Sequence, residues 1–292
     1  MSDLTFGAMG SPAHVIVVGD SALGDVARQR IDDLESKWSR FLPASELSRL
    51  NEAGSAVVSA DTILLVERSV QGWRASEGRF DPTVHDALVA HGYDRTFESV
   101  TSHVGITEVV PSPGCAGIVV EPMSGVVVLP TGVHLDPGGI GKGLAADIVV
   151  GELIAAGAAG AMVSLGGDLR AEGEPPRGSS WSIAIDEPAA GGAFGVVSMP
   201  AGAVATSTTR RHRWSAGGQT VHHLIDPAVG RPHAGEAILV TVIAGQGWWA
   251  EVATKDLMGK APGSCGLDQT AALVVTSAGR VHLVGGMEAY LS

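Results

Sequence analysis

The ten residues HLDPGGIGKG, from His134 to Gly143, bring together the groups a chain needs to hold a phosphate. Four glycines fall within the six residues from Gly138 to Gly143, and a residue without a Cβ lets backbone N–H groups be approached closely. Asp136 precedes them, Lys142 sits among them, and an apolar run follows that reads as a helix. Exposed amides, the positive end of a helix and a cation together can seat a phosphate and its metal. The segment fits no standard nucleotide motif. A Walker A loop requires Ser or Thr after the lysine, where this chain has Gly143. A dinucleotide fingerprint requires G-x-G-x-x-G, whereas Gly139, Gly141 and Gly143 give G-x-G-x-G. Taken alone, the segment is equally a glycine-rich turn into a helix.

Other polar islands have the same two-sided character. Asp81 and Thr83 flank Pro82, as an Asx-Pro turn does and as a polar binding loop does. Gly166-Gly167-Asp168 reads either as a hairpin turn or as a flat backbone surface for a planar ligand. Thr206 to Thr209 run into Arg210-Arg211-His212-Arg213, a pattern usual for a solvated face. His222 and His223 lead into Asp226-Pro227, where a histidine is a structural hydrogen-bonding group or a base. Glu251, Thr254 and Lys255 share one helix face, a spacing that suits an i,i+4 Glu–Lys pair on the surface.

These islands need a mixed α+β scaffold to hold them. Apolar spacing predicts helices over residues 25–39, 62–76, 144–156 and 246–258, with Ser45 capping a shorter helix through Leu50. Strands are expected over residues 14–18, 126–129, 161–165, 181–186, 196–206, 222–225 and 239–243. Residues 274–275 and 281–284 suggest a closing hairpin around Gly279, and residues 174–180, with two prolines, an irregular stretch. No residue-level repeat and no low-complexity linker interrupts the chain, so residues 1–292 read as one domain of two intimately packed halves.

Composition narrows the function. At 45% hydrophobic residues the chain buries a sizeable core. A net charge of −12 argues against nucleic acid and anionic membranes, which attract basic patches. Cys115 and Cys265 have no metal-ligand spacing and read as structural thiols. No run reaches the ~18 apolar residues of a membrane span, and the start has neither a basic nor an apolar leader region, so a cytoplasmic location is expected.

The order of the islands is more specific than any one of them. It runs from Met9-Gly10-Ser11 through Glu35, Ser39, Phe41, Pro43 and Ser45 to Asn51, then Phe80 to Val84 and Asp136 to Gly143. Ser164 to Asp168, Ala205-Thr206-Ser207, His223 to Pro227 with Gly230, and the Glu251 helix follow. This set resembles the FAD:protein FMN transferase (ApbE) family along nearly the whole chain. The resemblance implies an α+β fold related to the T-fold, with FAD in a cleft between two halves. It implies transfer of FMN from FAD to a threonine hydroxyl of an acceptor flavoprotein, with release of AMP and Mg2+ at the pyrophosphate. By the same resemblance, the flavin nucleotide is contacted by Met9, Phe41, Arg79, Phe80, Asp81, Asp136, Lys142, Ile225 and Lys255. The metal falls to the Gly139 carbonyl, Glu251 and Thr254, and His223 is the general base.

The chain departs from the family pattern at several places. Glu251 stands where the family usually has Asp, and Lys255 where it has Thr as a metal ligand. Such an ammonium either points away from the site or replaces the metal as the pyrophosphate's counter-charge. His85, Pro137 and Thr208 replace the common Gly, Leu and Gly, and the lipoprotein start of many members is missing. Two other readings follow: an FAD pyrophosphatase that uses water, and a flavin-binding protein without catalysis.

Overall fold

The computed structural model describes residues 1–100, 109–187 and 192–291. Its centre is an eight-stranded sheet of β1 (Ser2–Ala8), β2 (Ser11–Val18), β3 (Gly160–Leu165), β4 (Asp168–Gly173), β5 (Gly202–Thr208), β6 (Ala237–Ala244), β7 (Ala271–Thr276) and β8 (Val281–Val284). The strands lie side by side in chain order, and every neighbouring pair is antiparallel. Among the described residues, five α-helices fall between β2 and β3: α1 (Leu23–Trp38), α2 (Glu46–Ala53), α3 (Ala60–Ala75), α4 (His85–Ala90) and α5 (Gly141–Ala155). A single helix, α6 (Gly247–Met258), falls between β6 and β7. The order is therefore ββαββ twice, with α5 and α6 in equivalent places. The sequence shows little of this duplication, because the two halves differ in the helices between their strands.

Both faces of the middle strands are covered, which explains their unbroken apolar runs. All six residues of β7 are buried. Ala272 and Val274 join the core under α6, while Ala271, Leu273 and Val275 join the core on the opposite face. That opposite layer is a hairpin of Trp181–Glu187 with Gly192–Met199, which contributes Trp181, Ile185, Val197 and Met199. Burying each such large apolar side chain is worth roughly 1.5–3 kcal/mol. The expected strand over residues 196–206 is thus two strands in two layers. The break falls at Pro200, which has no N–H to continue a ladder.

Local signals hold at several ends. Ser45 Oγ accepts the Ser48 N–H at 3.0 Å, and Gly54 closes α2 in the left-handed region at φ 69°. Residues 174–180 carry no helix or strand. The expected strand over residues 222–225 is instead two short ones, Gln219–His222 and Ile225–Asp226. His223 and Leu224 lie between them, so His223 is outside both ladders. Cys115 is buried and Cys265 exposed, and both are unpaired. Among the described residues no helix is long and apolar enough to cross a membrane.

The helices α5 and α6 meet backbone to backbone. A Cβ on Gly143 would lie 2.4 Å from the Gly247 carbonyl oxygen, and one on Gly247 would lie 2.6 Å from that of Gly143. Each helix also caps the other. Asp147 of α5 accepts the N–H groups of Gly247 and Trp248 at 2.7 and 3.0 Å. Glu251 of α6 accepts the Gly143 N–H at 2.8 Å. In both helices the capping acid stands four residues after the crossing glycine.

Candidate active site

A cavity of about 780 Å3 opens beside the start of α5. Its wall includes the β1–β2 turn at Met9 and Gly10, the α1–α2 connection from Ser39 to Phe41, and Arg79 to Asp81. Asp136 to Gly139, Lys142, the stretch from His223 to Ala228, and Lys255 of α6 complete much of the remainder. Met9, Phe41, Arg79, Phe80, Asp81, Asp136, Gly139, Lys142, His223, Ile225 and Lys255 all line it. Glu251 and Thr254 do not line it and are fully buried.

One end is aromatic. Phe80 is buried, and Phe41 stands 5.8 Å from the Tyr93 ring. Arg40 lies over both rings, at 4.3 Å from Phe41 and 4.7 Å from Tyr93. Its Nε is 2.6 Å from Asp136 Oδ2, and its Nη2 is buried without a hydrogen-bond partner. Sequence reasoning passed over Arg40 and Tyr93. The only signal for Arg40 was its place between Ser39 and Phe41, two residues already singled out. Asp136, expected to contact a cofactor, lines the cavity, pairs with Arg40 and receives the Gly138 N–H at 2.6 Å.

The other end is cationic. Lys142 pairs with Asp168, whose second oxygen receives the Thr206 N–H at 3.1 Å. Lys142 Nζ and Lys255 Nζ lie 3.9 and 3.7 Å from Glu251 Oε1, too far for hydrogen bonds. Glu251 Oε1 is thus a buried carboxylate oxygen without a hydrogen-bond partner. Burial opposes charge on Lys142, but Asp168 and Glu251 outweigh it and raise the ammonium above its ordinary value. For Lys255 burial wins over the same two carboxylates and lowers it. Burial raises Glu251, against the pull of Lys255. The Glu251–Lys255 pair is therefore not the surface pair that its spacing also allowed: Lys255 lines the cavity and Glu251 is buried behind it.

The glycine-rich turn is less open than its sequence implies. Gly138 donates to Asp136, Ile140 and Gly141 donate to the Pro137 carbonyl, and Gly143 donates to Glu251. Those four amides are already used, so much of the site's positive charge falls to the cationic side chains. The glycines have separate reasons. Gly143 permits the helix crossing, while a Cβ on Gly139 would sit 3.1 Å from the Phe80 ring and 3.4 Å from Lys255 Cε. Gly166 and Gly167, at φ 63° and 97°, make the hairpin turn between β3 and β4 and do not line the cavity.

The remaining polar residues are held in place from behind. Arg79 Nε donates to Asp256 Oδ1 at 2.7 Å. Asp81 Oδ1 accepts the Thr83 N–H and hydroxyl at 2.8 and 2.6 Å, and burial raises this carboxyl despite both bonds. The His223 ring stands edge-on to His212 at 5.0 Å, and its Nδ1 is buried without a hydrogen-bond partner. Burial, with His212, Lys255 and Lys142 nearby, holds His223 well below its ordinary value, so the ring is neutral at pH 7.

The residues present do not fit a divalent cation well. A hard ion requires several free oxygen donors. The Thr254 hydroxyl donates to the Glu251 carbonyl and shares a hydrogen bond with Ser207, both at 2.7 Å. Glu251 Oε1 is free but faces two ammonium groups. In the expected ligand set of Gly139, Glu251 and Thr254, the threonine oxygen is thus already in two hydrogen bonds and the carboxylate faces two cations.

An eight-stranded antiparallel sheet with a cavity at crossed helix N-termini, aromatic at one end and cationic at the other, defines a candidate nucleotide-binding α+β protein. The ApbE family model matches residues 9–274. The chain belongs to the ApbE family. It is 30% identical over 230 residues to a FAD:protein FMN transferase of Rhodobacter capsulatus, covering 75% of this chain and 43% of that protein. It is 27% identical over 226 residues to one of Vibrio cholerae, covering 73% and 66%. The chain thus spans under half of the first relative's length and about two thirds of the second's. The ApbE protein of Thermotoga maritima has the same fold, with a TM-score of 0.84 at 21% identity over 99% of each chain. The flavin transferase ApbE of Vibrio cholerae superposes with a TM-score of 0.79 at 22% identity, over 99% of this chain and 98% of that one.

Proposed function

We propose that this chain transfers the FMN half of FAD to a threonine hydroxyl of an acceptor flavoprotein and releases AMP. The observation that carries the reading is one cavity joining aromatic rings, two lysines and a neutral, unpartnered histidine. The rings of Phe41, Phe80 and Tyr93 suit an isoalloxazine, and Lys142, Lys255 and the free arm of Arg40 suit a pyrophosphate. The names of the relatives support the same reaction.

The acceptor oxygen attacks the FMN phosphorus, a new P–O bond forms, and the bond to the AMP oxygen breaks with its electron pair leaving on AMP. His223, which lines the cavity as a neutral ring, takes the hydroxyl proton. Lys142 and Lys255 neutralise charge that builds on the phosphate oxygens, the main task of a protein in phosphoryl transfer. Both halves of the fold line the cavity, so the chain acts as one unit.

Magnesium is the part of the family pattern that this site supports least. We infer that Lys255 supplies much of the counter-charge. A pair of unit charges about 4 Å apart is worth on the order of 4 kcal/mol at an effective dielectric near 20, enough to replace part of a divalent ion's effect but not its geometry. Weak Mg2+ dependence is expected, and Lys255→Thr is expected to increase it; tight Mg2+ binding beside FAD in the unmodified protein overturns this part.

The deciding experiment is intact-mass analysis of a candidate acceptor after incubation with FAD. An added FMN phosphoester with equimolar AMP is the expected result. AMP without acceptor modification means hydrolysis by water, and FAD binding without AMP means a carrier. No FAD binding at all overturns the proposal.

A further inference from the structure

Outside the cavity, the start of α4 and the segment entering the glycine-rich turn share a second cluster. His85 Nδ1 lies 2.8 Å from Asp86 Oδ1, and His134 Nδ1 lies 2.8 and 2.9 Å from the two Asp86 oxygens. The two rings are 5.7 Å apart and tilted by 56°. Among the described residues, this is the one group of three or more His, Cys, Asp or Glu whose ligand atoms all lie within 4.8 Å of one another. None of the three lines the cavity.

Hydrogen bonding already joins the three side chains, since one ionised carboxylate can accept from both Nδ1–H groups. A cation at that point uses all three groups at once. With metal–ligand bonds of about 2.0–2.1 Å, the ligand atoms of a tetrahedral site stand roughly 3.3 Å apart, so each His–Asp separation has to open by only about half an ångström. Two imidazoles and one carboxylate select a borderline transition ion over Mg2+, which prefers oxygen alone. The side chains of His85, Asp86 and His134 are 21%, 54% and 36% exposed, which leaves an entry path and room for water in a fourth position.

We propose that His85, Asp86 and His134 form a three-ligand site for a divalent transition-metal ion of the Zn2+ type. The site is independent of the flavin reading. It ties α4 to the segment that carries Asp136, so a bound ion braces two walls of the cavity against each other. Val84 and Leu88, which flank His85 and Asp86, do line the cavity, as does Asp136.

The test is calorimetric titration of the metal-free full chain with Zn2+, with Mg2+ as control and Co2+ as a spectroscopic probe. One saturable Zn2+ per chain, visible Co2+ bands of a low-coordinate site, a Zn2+-dependent rise in melting temperature and no Mg2+ heat are expected. His85→Ala and His134→Gln should each abolish all of these while melting as the parent does without metal. If one variant fails to fold, the other decides. Absence of saturable Zn2+ binding below about 100 μM, a dissociation constant already weak for a built site, overturns the proposal. Undiminished Zn2+ binding in a folded variant also overturns it, since the ion then sits on other histidines.

Discussion

The two helix N-termini that meet at the centre of the molecule are built by one device and finished differently. Asp147 uses both carboxylate oxygens to cap α6, and Arg170 Nε stands 3.6 Å from it. Glu251 spends one oxygen on α5 and leaves the other facing Lys142 and Lys255. The closed cap is a structural joint. The open cap holds a charge that a neighbouring ligand can feel, and the cavity lies on that side. Duplication of a ββαββ unit explains why both caps exist, and the extra methylene of Glu251 fits its reach to Gly143 with an oxygen left over.

The comparison assigns rate to the open side and stability to the crossing. The largest effect is expected from His223→Ala, which should slow FMN transfer by about 10²–10⁴-fold with FAD affinity and melting temperature nearly unchanged. Single-turnover kinetics beside an FAD titration check it; a full rate leaves His223 a structural residue. Next come Gly143→Ala and Gly247→Ala. Each drives a methyl into the facing backbone at under 3 Å, so each should cost about 1–3 kcal/mol in spite of the helix propensity gained. Denaturant unfolding should give similar losses for the two, and a large loss at one site alone breaks the equivalence.

A smaller contrast separates the caps themselves. Asp147→Ala removes two acceptors from the α6 N-terminus and should cost about 1–2 kcal/mol without changing FAD affinity. Glu251→Gln keeps an acceptor for Gly143 but removes the charge that faces the lysines. It should leave stability nearly unchanged and tighten FAD binding in magnesium-free buffer. Weaker FAD binding in that variant, measured by calorimetry, returns Glu251 to the metal-ligand role.

The same contrast shows what could be read from the chain. Several of the ordered motifs, at Met9, Phe41, Phe80, Asp136 and His223, turned out to line one cavity, while those at Gly166 and Thr206 did not, and Ser45 with its helix followed from capping chemistry alone. The state of the backbone amides did not follow. A glycine signals that a main-chain group can be approached, but not whether Pro137, Asp136 or Glu251 already accepts its hydrogen. Long-range partners were equally hidden. Nothing near Asp136 in sequence announces Arg40, and nothing near Thr254 announces Ser207. Gly143 reads as part of a phosphate seat until Gly247, distant in sequence, is seen against it.

The smallest expected effect concerns proton linkage at the open side. The folded protein holds His223 well below 6.5, its ordinary value and the value it regains on unfolding. Between those two values the unfolded chain binds more protons, so this residue's contribution to stability rises with pH. It is present above about pH 6.5 and is lost as the pH falls through the folded value. Between pH 6 and 7 a single histidine of this kind contributes at most about 0.7 kcal/mol, half a proton's worth, and partial exposure reduces that further. Burial also lowers His212, His222 and His233, so the whole chain should show the same sign in this window. Asp147, raised to about 6, acts in the opposite sense, but mainly below that pH, where the folded state holds the extra proton. The check is to measure unfolding free energy at pH 6 and 7 for the parent, His223→Gln and Asp147→Asn. The first variant should flatten the pH 6–7 slope, and the second should steepen it by a smaller amount, with its main effect on stability below pH 6. A parent whose stability falls from pH 6 to 7 contradicts the neutral, desolvated histidine that the proposed base requires.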